Sequence, residues 1–504
     1  MAVPSGAGAP HTIELAAGLT IPRVVTGLWQ VADMERGGTL LDPVRAAHAM
    51  AEYVQDGFFA FDMADHYGSA EVITGEALAQ GQRLRAFTKW CPEPGPMTAD
   101  VVRQAVQRAR ERMRTPTIDL LQLHWWHFDH PQYIDAVREL HALQGEGWIR
   151  HIGLTNFDTA HLRVLLAEGL PVVSNQVCCS LLDRRALGEM SQLCMRHGVR
   201  LLAYGTLAGG FMSERWLHAP EPGHEALADW SKMKYRRFID AVGGWQALQG
   251  VLHAANQIAR RHGVSMANVA TRWVLDQPAV AAVIVGARLG QSQHRADNAR
   301  IFSFALDDAD RDRLQAALQA TRPMAGDCGD EYRRPPFLTA SGDLSHHLSS
   351  LPQVWPARAV AGRAGRWQVD SGSVWEPLAG YARAVRDERR VWVSGTTATH
   401  GSQQVIAPDD AGAQTTYVLD KISASLRALG GTLADVVRTR VYLADVNDWE
   451  PVSRAHGRFF GDIRPANTLL QAGALVGSGY RVEIEAEAVL PEGAPPPPMV
   501  LPSG

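Results

Sequence analysis

From about residue 24 to residue 310, short apolar runs alternate with stretches whose apolar residues recur at helical spacing. The period-2 or continuous runs predict strands at Val24–Leu28, Phe59–Asp62, Arg85–Thr88, Asp119–Leu123, His151–Leu154, Ser174–Val177, Arg200–Tyr204 and Ala281–Val285. Between them, amphipathic patterns predict helices at Pro43–Gln55, Ala99–Arg112, Tyr133–Gln144, Thr159–Ala167, Arg184–His197 and Gln246–His262. Eight strands alternating with helices make parallel βαβ units, and eight such units close into a (β/α)8 TIM barrel, an α/β fold. An open doubly wound sheet would use the same elements. It is disfavoured because no G-x-G-x-x-G follows any strand; Gly6-Ala7-Gly8 lacks both the third glycine and a helix behind it.

Two segments break the rhythm. Residues 208–245 are rich in Gly, Trp and Arg, and a loop of that length in a compact domain is usually functional or disordered. Residues 323–364, with RPPF and LPQVWPARAVAG, sustain neither period and have linker composition. A second, α+β pattern occupies 365–495, with strands expected at Val391–Ser394, Val436–Leu443 and Tyr480–Leu490 and helices at Thr415–Leu429 and Asn447–Phe460. The Pro-rich stretch 496–504 follows it, and residues 1–322 are assigned to the barrel.

Composition narrows the partners. The 504 residues carry a net charge of −4, without the basic footprint that nucleic acid or an anionic membrane would leave. No apolar run approaches the roughly 20 residues of a membrane span, and the N-terminus lacks the basic and apolar regions of a secretory signal. Five cysteines without C-x-x-C spacing exclude a disulfide scaffold or zinc ribbon, so a reducing cytoplasm is expected. Only four of the 49 basic residues are lysines, and Lys89 is the one lysine before residue 232. Arginine cannot lose its proton at neutral pH, so a lysine retained in such a chain is a candidate for chemistry.

Asp62, Lys89 and His124 stand at or just beyond the C-terminal ends of expected strands, where a barrel carries its catalysts, and Tyr67 follows in MADHYGSAE. A phenol, with a pKa of about 10, is a poor acid at neutral pH; a neighbouring ammonium held by a carboxylate lowers that value. An imidazole beside the phenol orients a carbonyl oxygen, and together these groups form a proton donor for a carbonyl that receives hydride. Each residue alone has a structural explanation as a cap or core polar group. The histidines of HWWHFDH lack the spacing and companion ligands of a zinc site, so no metal is expected.

With these residues in view, the sequence resembles the aldo-keto reductases, barrel enzymes that use NADPH, over roughly residues 12–325. DMADHYGSAE, TKW and LQLHW are similar to the family's tetrad segments, which implies Asp62, Tyr67, Lys89 and His124 as the catalytic set. GLTNF and NQV resemble the carboxamide-binding segments, implying that role for Asn156 and Gln176. LLAYGTLAGG implies that Tyr204 stacks on the nicotinamide and that Gly205, Thr206, Leu207 and Gly209 line the pyrophosphate. VIVGARLGQSQHRADN resembles the adenosine-phosphate segment, implicating Gly286, Arg288 and Asn298, with Ser292 and Arg295 weaker candidates. Trp29, Trp125 and Trp126 are candidates for an aromatic substrate mouth, with Trp216 and Trp230 in the long loop. The basic run SKMKYRR is either a solvated helical face or a closure over phosphate.

The second domain resembles the Rid family of reactive intermediate deaminases (YjgF type), whose fold is chorismate-mutase-like. The blocks carrying the likeness are VWVSGTTATHG, VVRTRVYLADVNDW, FFGDIRPANT and YRVEIEAEAVL, within 365–492. The resemblance implies a homotrimer, or a multiple of one, with clefts between subunits. In that family an arginine of R-P-A-R-T clamps an imino acid; here Asn467 stands in its place, and Glu483 is at the water-positioning carboxylate. A neutral amide cannot make the bidentate charge-assisted clamp. The expected function is therefore NADPH-dependent reduction of a small carbonyl or imine by the barrel. The second domain would serve assembly or handle a reactive imine or enamine. The alternatives are a Rid-centred imine hydrolase and a non-catalytic NADPH-sensing subunit.

Overall fold

The computed structural model describes residues 10–31, 41–93, 95–223, 227, 230–290, 294–333 and 353–497. The chain opens with an antiparallel hairpin, β1 (Thr12–Ala16) and β2 (Leu19–Pro22). The eight strands that follow are β3 (Val24–Gly27), β4 (Ala60–Asp62), β5 (Arg85–Trp90), β6 (Ile118–His124), β7 (Ile149–Thr155), β8 (Val172–Cys178), β9 (Arg200–Tyr204) and β10 (Val280–Gly286). They pair in parallel and in chain order, and β10 closes onto β3 to complete a barrel. The hairpin's Leu15, Leu19 and Ile21 are buried with Val25, Phe87, Leu120 and Leu202 in the barrel's inner core. His151, near the start of β7, bonds the Ala17 carbonyl at 3.1 Å, so the hairpin stoppers the N-terminal end. The opposite, C-terminal end is left to carry the site.

The helices form where the pattern predicts them, except that the stretch 184–197 is a short 3-10 turn, Arg185–Leu187, followed after Gly188 by the helix Glu189–His197. Local signals fix several ends. Asp42 accepts from the Val44 and Arg45 amides ahead of the helix Pro43–Gln55, whose proline occupies a first-turn position that needs no donor. Thr98 caps Ala99–Arg112, and Asp158 caps Thr159–Ala167. The helix Ala70–Ala79 has no counterpart in the sequence reading. Its Gly75 reads as a breaker but is a packing residue: a Cβ there would collide with the Arg112 carbonyl oxygen. Within the long segment after β9, Trp230–Ala241 is a helix that covers Gly205 and Gly209. Among the described residues, no helix is long and apolar enough to cross a membrane.

The second domain is a seven-stranded sheet. Its strands are β11 (Ala357–Ala359), β12 (Arg366–Val369), β13 (Ala384–Asp387), β14 (Arg390–Thr397), β17 (Val436–Leu443), β18 (Ala466–Gln471) and β19 (Val482–Val489). A small separate hairpin, β15 (Thr399–His400) and β16 (Gln404–Val405), precedes β17. The sheet order is β11-β12-β13-β14-β19-β17-β18, antiparallel except for β17–β18. Val391, Val393, Val441, Ile484 and Ala486 alternate onto the face covered by the helix Ala411–Ala428, while Trp392, Arg440 and Glu485 take the open face.

The two domains pack directly on one another. The helix Ala411–Ala428 is buried along nearly its whole length, between its own sheet and the barrel helix Thr159–Ala167. One continuous apolar core runs through both. Around it Arg163 meets Asp410 at 2.6 Å, His400 meets Asp135 at 2.8 Å and Arg427 meets Asp129 at 3.2 Å. Linker composition at 323–364 thus conceals ordered structure: residues 323–333 fold back over the barrel mouth, and β11 is an edge strand of the second sheet. Gly6-Ala7-Gly8 and most of the Pro-rich stretch lie outside the described residues.

Candidate active site

On four barrel strands the inner-core residue is followed two positions later by a site residue: Ala60 by Asp62, Phe87 by Lys89, Leu120 by Gln122 and Leu202 by Tyr204. A two-residue period keeps each pair on the inner face, so the apolar core gives way to polar chemistry at the C-terminal end. Lys89 donates to Asp62 Oδ2 at 2.6 Å and to the Met63 carbonyl at 2.8 Å. Asp62 Oδ1 accepts from Gln122 at 2.9 Å and from Gln176 at 2.8 Å, so both carboxylate oxygens are engaged. The Lys89 ammonium lies 4.8 Å from the centroid of the Tyr67 ring, which Trp29 meets edge-on at 4.9 Å. His124 is buried, with Nε2 3.4 Å from the Asn156 amide nitrogen. Lys89 pairs with Gln122 on the neighbouring strand, two residues short of His124, so the four tetrad candidates stand at the same end of the barrel.

Their electrostatics differ from the expected activation. Burial, and then the Asp62 charge, push the Tyr67 phenol well above its ordinary value, while Lys89 directs hydrogens to Asp62 and Met63. Burial, followed by Arg333, pushes the His124 imidazole well below its ordinary value. The resting pair is a protonated phenol and a neutral imidazole.

The nicotinamide-end candidates are gathered at the same mouth, but the chain itself engages them. Asn156, at φ 55°, accepts the Tyr204 hydroxyl at 2.8 Å. Tyr204 also bonds Glu331 at 3.0 Å, and the Lys234 ammonium lies 4.9 Å from its ring centroid. Gln176 is directed to Asp62 and Gln122. Tyr332 stands edge-on to His124, with centroids 5.4 Å apart, and accepts from Lys234 at 2.9 Å. In this arrangement the slot that the resemblance gives to nicotinamide is filled by Tyr332 and Lys234, so it does not fit the ring as it stands.

At the pyrophosphate segment, Gly205 and Gly209 hold positive φ, and a Cβ on either would strike Tyr235 of the covering helix. Thr206 is buried and Leu207 is packed against the core. Gly286 ends β10, and Arg288 beyond it is exposed. Asn298 lies in the short helix Arg295–Ala299, and Ser292 lies outside the described residues. Arg295 is committed elsewhere, to Glu52 at 2.5 Å and Asp56 at 2.7 Å, which corrects its candidacy for a phosphate.

Of the mouth aromatics, Trp126 faces His124 and Tyr332, at 5.4 and 5.6 Å. Trp125 turns into the core, where its indole donates to the His127 carbonyl at 2.7 Å, so it is not a pocket wall. Trp216 packs with Phe211 and Trp245 in a separate core, and Trp230 is exposed. The sequence reading missed Gln122, Arg185, Glu331, Tyr332 and Arg333. Gln122 was visible as the lone amide within an apolar strand, whereas the EYRR run sat in what read as linker.

In the second domain Asn467 donates to the Thr439 hydroxyl at 2.9 Å across β17–β18. Glu483 lies on β19 opposite Tyr442 and close beneath Gly395, where a Cβ would strike its carboxylate. Burial raises the Glu483 pKa, and Arg383 opposes the shift. Asn467 and Glu483 are on one sheet but stand at different registers, Asn467 opposite Thr439 and Glu483 opposite Tyr442.

Comparison with known proteins agrees with both halves of this architecture. The aldo/keto reductase family model matches residues 23–319, and the model described as endoribonuclease L-PSP matches residues 373–490. The chain is 24% identical over 329 residues to the NADH-specific methylglyoxal reductase of Escherichia coli, covering 60% of this chain and 96% of that one. It is 30% identical over 217 residues to flagellar radial spoke protein 5 of Chlamydomonas reinhardtii, covering 37% of this chain and only 41% of that protein. The glycerol dehydrogenase structure from Gluconobacter oxydans shares the fold at a TM-score of 0.52 and 24% identity, covering 63% of this chain and 97% of that one.

Proposed function

The chain belongs to the aldo/keto reductase family, and on that premise we propose that its barrel reduces a small carbonyl compound, or an imine, with NADPH. The observation that carries this reading is the convergence of Asp62, Tyr67, Lys89 and His124 at one end of the barrel. A nicotinamide cofactor of this family supplies hydride when bound. The chain's own part is to hold the substrate oxygen or nitrogen and give it a proton. Tyr67 rests protonated, the form a donor needs. Lys89, fixed by Asp62, stands ready to stabilise the phenolate left behind, and neutral His124 orients the acceptor atom.

NADPH in preference to NADH rests on Arg288, an exposed guanidinium just past the last barrel strand. The methylglyoxal reductase relative makes short α-oxoaldehydes the first substrates to try. Gly286 and Asn298 would border the adenosine phosphate, and the second domain would assemble subunits through its open sheet face, where Trp392 is exposed. Imine hydrolysis by that domain is the second reading. Asn467, already bonded to Thr439, weighs against it.

The deciding experiment is a screen for oxidation of NADPH and NADH across aldehydes, ketones, cyclic imines and pyridoxal. Turnover lost in Tyr67→Phe supports the reading. Ammonia release from imino acids without any cofactor oxidation would replace it with the second.

A further inference from the structure

The segment Gly326–Arg333 occupies the barrel mouth with three consecutive side chains, each held by specific bonds. Glu331 is fully buried; Arg185 donates to it at 2.8 Å and the Tyr204 hydroxyl at 3.0 Å, with the Lys234 ammonium 4.0 Å away. Tyr332 lies between Tyr204, whose hydroxyl is 3.4 Å from its own, and the edge of His124. Arg333 donates to the carbonyls of Asn156 at 2.6 Å and Trp125 at 2.7 Å. The segment thus engages Asn156 and Tyr204, two of the three residues that the family resemblance assigns to the nicotinamide end.

Its geometry is specified. Gly326 and Gly329 hold φ near 80°, and a Cβ on Gly329 would strike the Asn156 carbonyl oxygen. Asp330 accepts the Asp327 amide at 2.7 Å, closing the turn between them. The root of the turn is tied to the second domain. Arg458, from the helix Trp449–Phe460, pairs with Asp327 at 2.8 Å and lies 3.7 Å from Asp158. Asp327 also accepts the Thr159 amide at 2.9 Å, and its carbonyl accepts from Arg185 at 2.8 Å.

We propose that Gly326–Arg333 is an intrachain plug that competes with the nicotinamide end of the cofactor for the slot between Tyr204 and His124, and that the second domain sets its hold through Arg458. This rests on the cofactor reading above. Tyr332 puts its ring in the slot and holds the Lys234 ammonium over the face of Tyr204, and both must withdraw before a nicotinamide ring enters. A site whose competent form is only partly populated binds its ligand more weakly by that fraction. Loosening the plug therefore tightens cofactor binding without touching the cofactor's own contacts. The second domain, already packed on the barrel, would by this route decide how readily the reductase loads.

The test is titration of the full-length chain with NADPH and with NADH, read by tryptophan fluorescence, for wild type, Tyr332→Ala and Arg458→Ala. Tyr332→Ala removes only the ring and leaves the buried Glu331–Arg185 pair, so the fold is preserved; circular dichroism confirms it. Both variants should bind about tenfold more tightly, and cofactor should expose the amides of 329–333 to hydrogen exchange in wild type. Measurable but equal affinities in all three forms would overturn the plug and leave the cofactor reading standing. A gain in Tyr332→Ala alone would overturn the role of the second domain. No binding by any form would overturn the cofactor reading, and the plug with it.

Discussion

At the domain boundary, His161 of the barrel bonds Asp158 at 2.8 Å on one side and Asp420 of the second domain at 3.1 Å on the other, all three buried. Burial alone would push the imidazole down, but Asp158 and then Asp420 more than reverse it and raise its pKa from 6.5 to about 9. Burial lifts Asp420 to about 7, against the pull of His161, while Asp158, also near Arg458, stays below the ordinary range. For His161 the folded value exceeds the unfolded one. Its stabilisation is full below about pH 6.5 and is lost as pH climbs through about 9. Asp420 acts with the same sign, because its folded form keeps a proton that the unfolded chain releases near 3.8. Asp158 contributes above its unfolded value and does not titrate in this window. A rise from 6.5 to about 9 corresponds to about 3 kcal/mol.

His161→Leu keeps comparable bulk but leaves two carboxylates without their shared partner. It should lose up to about 3 kcal/mol at pH 6.5, less in so far as Asp420, lifted to about 7, already holds a proton there. The assay is urea unfolding of wild type and variant between pH 5.5 and 9.5, alongside calorimetry, in which a weakened boundary separates the two domains into distinct transitions. Adding Asp420→Leu should restore much of the loss, because an apolar pair replaces an uncompensated charge. A deficit below about 1 kcal/mol at pH 6.5, or one that grows as pH rises, would refute this account of the boundary.

Three further outcomes are expected. Tyr67→Phe should bind cofactor normally yet lose about 10²–10⁴ in turnover in a steady-state assay, since only the proton donor is removed. Arg288→Ala should weaken NADPH by about ten- to a hundredfold while sparing NADH; equal losses would assign the arginine a structural role. Light scattering should give a trimer or its multiple for the intact chain, against the reading if it gives a particle of 55.0 kDa.

The sequence by itself determined the barrel, because strand and helix periods are local properties and β/α alternation has few closed solutions. The helices Pro43–Gln55, Ala99–Arg112 and Thr159–Ala167 fall where the apolar pattern ends them, under caps legible as Asp42, Thr98 and Asp158. It also singled out Asp62, Lys89 and His124 at strand ends and Tyr67 just beyond one, because a parallel barrel carries the ends of all its strands to the same mouth. What it left open was long-range. Asp420 and Arg458 fall within the expected helices Thr415–Leu429 and Asn447–Phe460, and nothing local marks their partners His161 and Asp327 across the boundary. Arg295 read as a weaker phosphate candidate until Glu52 and Asp56 were brought to it. Glu331 and Tyr332 lie in a stretch with neither period, so no local signal marks them. Their burial depends on Arg185, Lys234 and Tyr204, about 100 to 150 residues upstream, and only the folded chain brings those groups within bonding distance.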